Sequence, residues 1–351
     1  MKEALLYEPV ADGKVVCTAC ARYCRIGEGQ IGLCGVRQNL EGKLQLLVYG
    51  KVIAGHVDPI EKKPVTHYMP GAKIFSIATT GCNWLCKFCQ NYDISQRRKI
   101  QGTDISPEGV VELTLQQGAQ GIAYTYNQPS IFIELAHDIG VLARKAGLIN
   151  IFVSNGYDTP DTVSLMPDFL DAITVDLKGN AEPKFVRRII GIPDPQPIFD
   201  SLIEMRDKTD VHIEITSLVV PDVGDNLEYA RKLSQFVYDE LGPDIPIHFL
   251  RFHPDYKMMD LPLTPVETLE KHHQVAKEVG LNYVYIGNVP GHPLEHTYCP
   301  GCGRIAIERH GFDIRGWGLD DRNRCQECGY QLPIVGALQD SWQEFRFRPV
   351  M

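Results

Sequence analysis

Residues Gly81 to Gln90 read Gly-Cys-Asn-Trp-Leu-Cys-Lys-Phe-Cys-Gln and bring Cys82, Cys86 and Cys89 into one short run. Zinc in a structural site takes four ligands, and three thiolates cannot complete that shell. Three thiolates can hold three irons of a [4Fe–4S] cluster and leave the fourth iron open to another ligand. The alternatives are a zinc site that borrows a distant ligand and three cysteines packed as small hydrophobic side chains. We therefore expect an iron–sulfur cluster with one open coordination position.

Eight further cysteines form two groups that flank this run. They are Cys17, Cys20, Cys24 and Cys34 on the amino-terminal side and Cys299, Cys302, Cys325 and Cys328 on the carboxyl-terminal side. Disulfide pairing would leave one of the eleven cysteines over, whereas three metal centres use them all. This partition favours metal binding in a reducing compartment over disulfide formation.

The two flanking groups differ in how well their spacing identifies the metal. The carboxyl-terminal cysteines form two CxxCG knuckles, which are typical of a zinc ribbon or of rubredoxin. They predict one tetrahedral metal ion, with structural zinc favoured over redox iron. The amino-terminal spacing, CxxCxxxC followed by Cys34, is compatible with either zinc or an auxiliary [4Fe–4S] cluster.

The composition excludes several classes of protein. The 351 residues are 44% hydrophobic, which is enough for a substantial core. No run of eighteen apolar residues occurs, and the start Met-Lys-Glu-Ala lacks the apolar core of a secretion signal, so we expect a cytoplasmic protein without a membrane span. The net charge of -9 does not indicate nucleic-acid binding. The basic cluster Arg97-Arg98-Lys99 could contact phosphates locally but is typical of a solvated loop.

From Lys73 onward, short apolar runs bounded by turn residues alternate with amphipathic segments. The runs are Ile74–Thr79, Gly121–Tyr126, Asn150–Ser154, Ala172–Leu177, His212–Val219, Ile247–Phe252 and Tyr283–Ile286. Three of the intervening segments begin with a cap signal and a proline, at Ser106-Pro107, Thr159-Pro160 and Thr264-Pro265. Alternating strands and helices predict a parallel sheet with right-handed crossovers.

About seven strands of this kind predict an incomplete barrel, in which ligands lie beyond the carboxyl ends of the strands. The cysteine run Cys82 to Cys89 follows the first strand at that end. We expect three parts: a cysteine-rich metal module over residues 1–70, the barrel over 71–290, and a zinc-ribbon or rubredoxin-like module with a tail over 291–351.

Six blocks of sequence carry a resemblance to a known family. They are Gly81–Gln96, Tyr124–Ser130, Val153–Tyr157, Val175–Lys178, His248–Tyr256 and Tyr283–Pro290. Together they resemble the AmmeMemoRadiSam system radical SAM enzyme, a family related to the pyruvate formate-lyase activating enzyme. The resemblance covers nearly the whole chain and implies an α/β fold built on a partial (β/α)6 radical SAM barrel.

The resemblance also implies a function. In that family the open iron binds the amino and carboxylate groups of S-adenosylmethionine (SAM), and an electron from the [4Fe–4S] cluster cleaves SAM to a 5′-deoxyadenosyl radical. The implied substrate is unidentified, and the implied partners are Memo-type and AMMECR-type proteins together with an electron donor such as ferredoxin or flavodoxin. The rival hypotheses are an activase that installs a glycyl radical on a partner enzyme and a noncatalytic zinc-scaffold or electron-transfer protein.

Polar residues at the ends of the strands are candidates for binding SAM. They are Thr125, Asn127 and Gln128 after the second strand, Ser154, Asn155 and Gly156 after the third, Asp176 and Lys178 at the fourth, and Asn288 after the seventh. Relatives usually carry Glu at the position of Gln128, whose amide oxygen can still accept the SAM ammonium proton but without charge assistance. The alternatives are a helix cap at Gln128, an ordinary Asn-Gly turn at Asn155, and an internal ion pair between Asp176 and Lys178.

A second set of residues is predicted to act on the substrate. By the period of two, Glu214 shares one face of the fifth strand with His212 and Thr216, and we expect this face to line the barrel interior. Arg251 could clamp a carboxylate or phosphate. The remaining candidates are His248 and His253, of which we expect only one to touch substrate, and Tyr126 and Tyr256 as hydrogen-atom or proton relays.

Overall fold

The computed structural model describes residues 1–96, 99–344 and 346–351. Arg97 and Arg98, two of the three residues of the basic cluster, lie outside the described residues. All eleven cysteines are described, and none is in a disulfide. In the described part of the chain, no helix is long and apolar enough to cross a membrane.

The amino-terminal region consists of short antiparallel strands. They are β1 (Lys2–Glu3), β2 (Tyr7–Pro9), β3 (Val15–Cys17), β4 (Arg25–Ile26), β5 (Arg37–Leu40), β6 (Lys43–Leu46), β7 (Lys51–Val52) and β8 (Ala54–Pro59). One small sheet has the order β1-β6-β5 and a second has the order β2-β3-β4. Buried residues of this region, among them Val15 and Val36, pack in the same hydrophobic core as the central sheet.

The central sheet confirms the expected α/β fold. Its parallel strands are β9 (Lys73–Ala78), β11 (Gly121–Tyr124), β12 (Ile149–Ser154), β13 (Ala172–Asp176), β14 (His212–Val219), β15 (Ile247–Arg251) and β16 (Val284–Gly287), and the short β10 (Thr103–Asp104) pairs with β7 outside it. Neighbours in space follow the order of the chain from β9 to β16. Each of the seven predicted runs matches one of these strands to within two residues at either end.

Helices connect the parallel strands. They are α1 (Tyr92–Ser95), α2 (Pro107–Gln116), α3 (Ile133–Lys145), α4 (Pro160–Leu165), α5 (Pro183–Phe185), α6 (Gln196–Lys208), α7 (Leu227–Phe236) and α8 (Val266–Val279). Short 3-10 turns occupy Ile60–Lys62, Pro129–Phe132, Met166–Asp168, Lys178–Ala181, Pro293–Glu295 and Asp340–Gln343, and π-helical turns occupy Val186–Ile190 and Val237–Leu241.

Two of the three predicted helix caps are confirmed. The Ser106 hydroxyl accepts the N–H of Gly109 at 3.1 Å at the start of α2, and the Thr159 hydroxyl accepts the N–H of Thr162 at 3.2 Å at the start of α4. The prediction at Thr264 is wrong. Its hydroxyl donates to the carbonyl of Val219 at 2.7 Å, so it ties the end of β14 to the loop before α8, and α8 begins without a side-chain cap.

The carboxyl-terminal region closes on the same sheet. A hairpin of β18 (Ile305–His310) and β19 (Asp313–Trp317) pairs with β17 (Thr297–Tyr298) to form a three-stranded antiparallel sheet. Its core includes Tyr285 of β16 and Tyr283, which directly precedes β16. The last strand, β20 (Arg348–Pro349), pairs with β8, which itself pairs antiparallel with β9. Both flanking regions therefore pack directly against the parallel sheet.

Candidate active site

A large cavity opens at the carboxyl ends of the parallel strands. Its volume is about 660 Å³, and Cys82, Cys86 and Cys89 all line it. Pockets that hold a drug-sized molecule are roughly 300 to 1,000 Å³, so this cavity is large enough for a ligand of that size. The arrangement places the predicted cluster and the predicted ligand site in one compartment.

Close packing fixes the loop that carries the three cysteines. Gly81 has a φ of +92°, and a Cβ at this position would lie 2.3 Å from the carbonyl oxygen of Cys34, so only glycine fits. Phe88 is buried between Phe185 and Phe252, with ring centroids 6.0 and 6.4 Å away. The loop therefore owes its shape to packing against the amino-terminal region and the barrel.

The three thiolates fit a [4Fe–4S] cluster with an open iron. They line one face of the cavity, yet they do not belong to any group of three described metal ligands whose atoms all lie within 4.8 Å of one another. Two thiolates bound to one zinc ion at about 2.3 Å cannot be more than about 4.6 Å apart. The spacing is thus too wide for a shared mononuclear ion and suits separate irons.

Most of the predicted SAM-binding residues line this cavity. They are Thr125, Asn127, Gln128, Asn155, Asp176, Lys178 and Asn288. Ser154 and Gly156 lie behind its wall. The Ser154 hydroxyl donates to Asp158 at 3.2 Å, and a Cβ on Gly156 would lie 2.5 Å from Val175, so the third-strand loop packs tightly against β13.

Gln128 is buried, and four hydrogen bonds hold its side chain. Its Nε2 lies 2.9 Å from Ser130 Oγ, 2.8 Å from Ser154 Oγ and 3.1 Å from Asp158 Oδ1, while its Oε1 accepts the N–H of Asn155 at 2.7 Å. The side chain therefore joins the turn after β11 to the loop after β12. A contact between Gln128 and the SAM ammonium group stays a prediction.

Asp176 and Lys178 form the internal ion pair that was the alternative to SAM contact. Lys178 Nζ donates to Asp176 Oδ2 at 2.9 Å, and the Thr216 hydroxyl donates to the other carboxylate oxygen. Burial alone would lower the pKa of Lys178, but the nearby Asp176 and Cys86 raise it above its ordinary value. Both side chains still line the cavity beside the cysteine loop, so the ion pair does not exclude a ligand contact.

Glu214 does not line the cavity, because it is completely buried inside the sheet wall. Its Oε1 accepts the backbone N–H groups of Thr66 and His67, both at 2.7 Å, and lies 3.1 Å from His212 Nε2. Its Oε2 lies 2.8 Å from Nε2 of His248. Burial would raise the pKa of Glu214, but the hydrogen bonds from His212 and His248 hold it well below its usual range. The carboxylate therefore positions His248.

His248 lines the cavity and is held on two sides. Its ring stacks on Tyr285, with centroids 4.9 Å apart, while Glu214 holds its Nε2. The Tyr285 hydroxyl lies 2.7 Å from His67 Nε2 and 2.9 Å from the Thr297 hydroxyl. Burial lowers the pKa of His67 to about 3, so His67 is neutral. These contacts connect residues of the amino-terminal region, the central sheet and the carboxyl-terminal region to the imidazole of His248, which faces the cavity.

His253, the second predicted histidine, also lines the cavity, but its side chain is exposed. Tyr256 stacks on Tyr92 with centroids 4.6 Å apart and is absent from the cavity lining. The packing therefore favours His248 over His253 as the ordered imidazole and gives Tyr256 a structural contact.

A second ionic cluster was missed from the sequence because it comes from the amino-terminal region. Asp58 Oδ2 accepts from Lys63 Nζ and from the Tyr126 hydroxyl, both at 2.6 Å, and Asp58 Oδ1 accepts from Lys62 Nζ at 2.7 Å. Lys62, Lys63 and Tyr126 line the cavity. Burial lowers the pKa of Lys63 to about 8, whereas burial and the hydrogen bond to Asp58 raise the pKa of Tyr126. Tyr126 is thus tied to a carboxylate.

Two guanidinium groups line the cavity without an ion-pair partner among the described residues. Arg251 Nε donates to the carbonyl of Thr264 at 2.9 Å. Arg309, on the carboxyl-terminal hairpin, donates to the Thr297 hydroxyl at 2.6 Å and to the carbonyl of Thr66 at 3.3 Å, and its Nε is buried without a hydrogen-bond partner. The sequence predicted Arg251, but no local pattern pointed to Arg309.

The carboxyl-terminal cysteines form a compact four-sulfur group. All four sulfurs lie within 4.8 Å of one another, with 3.6 Å between those of Cys299 and Cys328 and 3.8 Å between those of Cys302 and Cys325. Thiolates at tetrahedral positions about 2.3 Å from a zinc ion are separated by about 3.8 Å. The group therefore fits one tetrahedral metal ion.

Comparisons with known proteins agree with this site. The family model of the radical SAM superfamily matches residues 76–237, which include the three cavity cysteines. An uncharacterized protein of Methanocaldococcus jannaschii is 42% identical over 338 residues, covering 95% of this chain and 100% of its own length.

Solved structures resemble this chain at low sequence identity. A radical SAM methyltransferase from Sphaerobacter thermophilus matches with a TM-score of 0.50 and 12% identity, over 62% of this chain and 67% of its own. A domain of the pyruvate-formate lyase-activating enzyme from Bacteroides vulgatus gives a TM-score of 0.43 and 15% identity, over 48% of this chain and 100% of the domain. The family match over residues 76–237 and the cysteine loop within it show that this chain contains a radical SAM domain, and they support an enzyme over the noncatalytic hypothesis.

Proposed function

We propose that this enzyme cleaves SAM reductively and uses the resulting radical on a substrate that carries a carboxylate or phosphate group. The observation that carries the proposal is a single cavity that contains both the three cluster cysteines and unpaired guanidinium groups. The six family-like sequence blocks of the chain further support a place in the AmmeMemoRadiSam system.

Cys82, Cys86 and Cys89 would hold the cluster. When bound, the cluster and SAM supply an electron and a sulfonium whose cleavage yields methionine and a 5′-deoxyadenosyl radical. The residues of the chain bind, orient and shield these groups. The buried Phe88 and Trp84 pack the cysteine loop against the barrel and exclude water from its inner side.

The polar residues nearest the cysteine loop are proposed to bind SAM. Asn155 is fixed by its Nδ2 donating to Asn83 Oδ1 at 2.8 Å, within the cysteine loop itself. Asn127 Nδ2 donates to the carbonyl of Gly81 at 2.7 Å, so it supports the same loop from the second strand. These contacts couple the shape of the SAM site to the geometry of the three cysteines.

The charge balance of the cavity supports an anionic substrate. Five lysine and arginine side chains line it against three carboxylates. Lys62 and Lys63 share one carboxylate, Asp58, and Lys178 pairs with Asp176, whereas Arg251 and Arg309 have no ion-pair partner among the described residues. A guanidinium is suited to bidentate binding of a carboxylate or phosphate.

The carboxyl-terminal four-cysteine group is proposed to hold structural zinc. Its sulfur separations suit a single tetrahedral ion, and the hairpin that it anchors delivers Arg309 to the cavity. Zinc at this position would stabilise the substrate-binding wall without taking part in the reaction.

The proposed setting is the cytoplasm, with ferredoxin or flavodoxin as electron donor and Memo-type and AMMECR-type proteins as partners. The family-like sequence blocks support these partners. Size-exclusion chromatography of the enzyme with purified Memo-type and AMMECR-type proteins would test the association, and separate elution at micromolar concentrations would remove the partner proposal while leaving SAM cleavage intact.

Anaerobic turnover tests the central function. Protein reconstituted with iron and sulfide should form 5′-deoxyadenosine from SAM when dithionite is added. A variant with Ala at Cys82, Cys86 and Cys89 should lose this activity and keep its far-ultraviolet circular dichroism, because the loop lies outside the strands of the core. Equal product from both proteins would refute the proposal.

A further inference from the structure

The amino-terminal cysteines converge on a small cavity of their own. Cys17, Cys20, Cys24 and Cys34 all line it. The N–H of Cys17 donates to the carbonyl of Cys24 at 3.0 Å, which folds the segment between them around this space. Four thiolates that surround one enclosed space indicate a metal centre.

The separation of the four sulfurs excludes a single zinc ion. Among the described residues, the carboxyl-terminal cysteines form the one group of three or more metal ligands whose atoms all lie within 4.8 Å of one another. No three of the amino-terminal sulfurs meet that condition. Because two thiolates on one zinc ion cannot be more than about 4.6 Å apart, the amino-terminal sulfurs are too widely spread to share it.

The wider spacing matches the cavity triad instead. Cys82, Cys86 and Cys89 also fail the 4.8 Å condition, although they too converge on a single space. Sulfurs bound to different irons at the corners of a cubane lie farther apart than sulfurs bound to one ion. The wide spacing of the amino-terminal sulfurs is therefore compatible with separate irons of a cluster.

A buried donor beside the cysteines is a second, independent observation. Asn83 also lines the amino-terminal cavity, and its buried Nδ2 has no hydrogen-bond partner among the described residues apart from a contact with the Cys20 thiol. A buried amide group with an incomplete set of hydrogen bonds is costly. The sulfides and thiolates of an iron–sulfur cluster accept hydrogen bonds, so a cluster in this cavity would satisfy the group.

We propose that Cys17, Cys20, Cys24 and Cys34 hold a second [4Fe–4S] cluster with four thiolate ligands. It lies directly behind the cavity loop, because Asn83 follows Cys82 in the chain and Arg22 Nε donates to the carbonyl of Asn83 at 3.0 Å. With all four irons ligated by cysteine, this cluster has no open position for SAM. The assignment rests on the sulfur geometry and stands apart from the proposed reaction.

The full-length protein with Ala at Cys82, Cys86 and Cys89 isolates the second site. After anaerobic reconstitution and desalting, this variant should retain about four iron and four sulfide per chain, against about eight of each in the wild type. Once reduced, its electron paramagnetic resonance spectrum should show a cluster signal that SAM does not change. About two zinc ions per chain with negligible iron in this variant would overturn the proposal.

A matched variant tests whether the retained iron is bound by the amino-terminal cysteines or elsewhere in the protein. Cys20→Ala with Cys34→Ala should also fall to about four iron, and its remaining cluster signal should change when SAM is added. If this variant does not fold, the triad variant alone decides, because its iron content and SAM-insensitive signal do not depend on the mutated amino-terminal site. Unchanged iron in a folded Cys20→Ala, Cys34→Ala protein would contradict the assignment. Absence of SAM cleavage by a wild type with about eight iron would instead count against the proposed reaction.

Discussion

The two flanking cysteine regions contain four cysteines each, yet their sulfurs are arranged differently. In the carboxyl-terminal region two CxxC knuckles face each other, and the carbonyls of Cys299 and Cys325 each accept an N–H from the glycine four residues later at 2.8 Å. In the amino-terminal region the ligands come from a strand end and separate turns around a cavity. The number of cysteines predicts a metal, and the spatial separation of their sulfurs is the basis on which we propose its kind.

Both regions also contribute charge to the active-site cavity. The amino-terminal region supplies Lys63, held by Asp58, and the carboxyl-terminal region supplies Arg309, which has no described ion-pair partner. The comparison predicts different consequences for damage to each region. Loss of the carboxyl-terminal metal should affect substrate binding through the hairpin, while loss of the amino-terminal metal should act beside the cysteine loop.

The largest effect is expected for Cys325→Ser. Loss of one ligand should release the metal and unfold the carboxyl-terminal lobe locally, because metal binding there contributes directly to folding. Metal loss is among the mechanisms that exceed about 4 kcal/mol, and zinc content with thermal unfolding would measure it. Glu327→Gln is the control, because Glu327 is exposed and lies between Cys325 and Cys328. Full zinc and wild-type unfolding in Cys325→Ser would contradict this account.

A smaller effect is expected from the buried Lys63. Its pKa is lowered by burial to about 8 from the ordinary value of 10.5, so the folded protein binds fewer protons than the unfolded chain between those pH values. Stability should therefore rise with pH through this window, by roughly 2 to 3 kcal/mol relative to Lys63→Met. Denaturant unfolding at pH 8 and pH 10 would measure the difference.

Lys62→Met is the matched control, since Lys62 contacts the same carboxylate but is more exposed. It should keep the wild-type rise in stability with pH. The same slope for wild type and Lys63→Met would show that Lys63 is not the titrating group.

The cavity guanidinium of the carboxyl-terminal region is expected to matter for ligand affinity. Arg309→Leu should weaken inorganic phosphate binding to the SAM-loaded enzyme about tenfold or more, because a hydrogen bond to a charged group is worth about 1.5 to 3 kcal/mol. Isothermal titration would compare it with Arg315→Leu, which removes an exposed arginine from the same hairpin. Equal phosphate affinity in both variants would remove Arg309 from the proposed substrate site.

The smallest effect is expected at Gln128, whose hydrogen bonds among the described residues reach neither flanking region. Burial raises the pKa of Asp158 to about 6 despite hydrogen bonds from Ser130, Ser154 and Gln128. Gln128→Glu would place a second carboxyl group there and remove a donor, so stability should fall by about 1 to 2 kcal/mol. The SAM dissociation constant and thermal unfolding together test this. A tenfold gain in SAM affinity without loss of stability would instead restore Gln128 as the ammonium acceptor.

The sequence predicted the parts of the molecule that depend on local patterns. The seven strands follow from apolar runs and turn residues, and the cavity position of Cys82 follows from its place after the first strand. His248 and Lys178 were also placed at the correct end of the sheet. These predictions needed only chain order and the side-chain period.

The remaining features depend on contacts between distant parts of the chain. Period-two alternation predicted that Glu214 faces the barrel interior. The backbone N–H groups of Thr66 and His67, some 150 residues away in sequence, bind its carboxylate and separate it from the cavity. The sequence around Thr264 predicts a helix cap, but its hydroxyl instead donates to the carbonyl of Val219 at the end of β14. Arg309 reaches the cavity through the packing of the carboxyl-terminal hairpin, for which a single sequence has no local signal.

The difference between the two cysteine regions can be measured directly by anomalous X-ray diffraction on crystals of the anaerobically purified enzyme. Data collected on either side of the iron and zinc absorption edges would locate each metal in one experiment. We expect iron at the cavity triad and among Cys17, Cys20, Cys24 and Cys34, and zinc among the carboxyl-terminal cysteines. Zinc at the amino-terminal site, or no iron at Cys82, Cys86 and Cys89, would contradict the account.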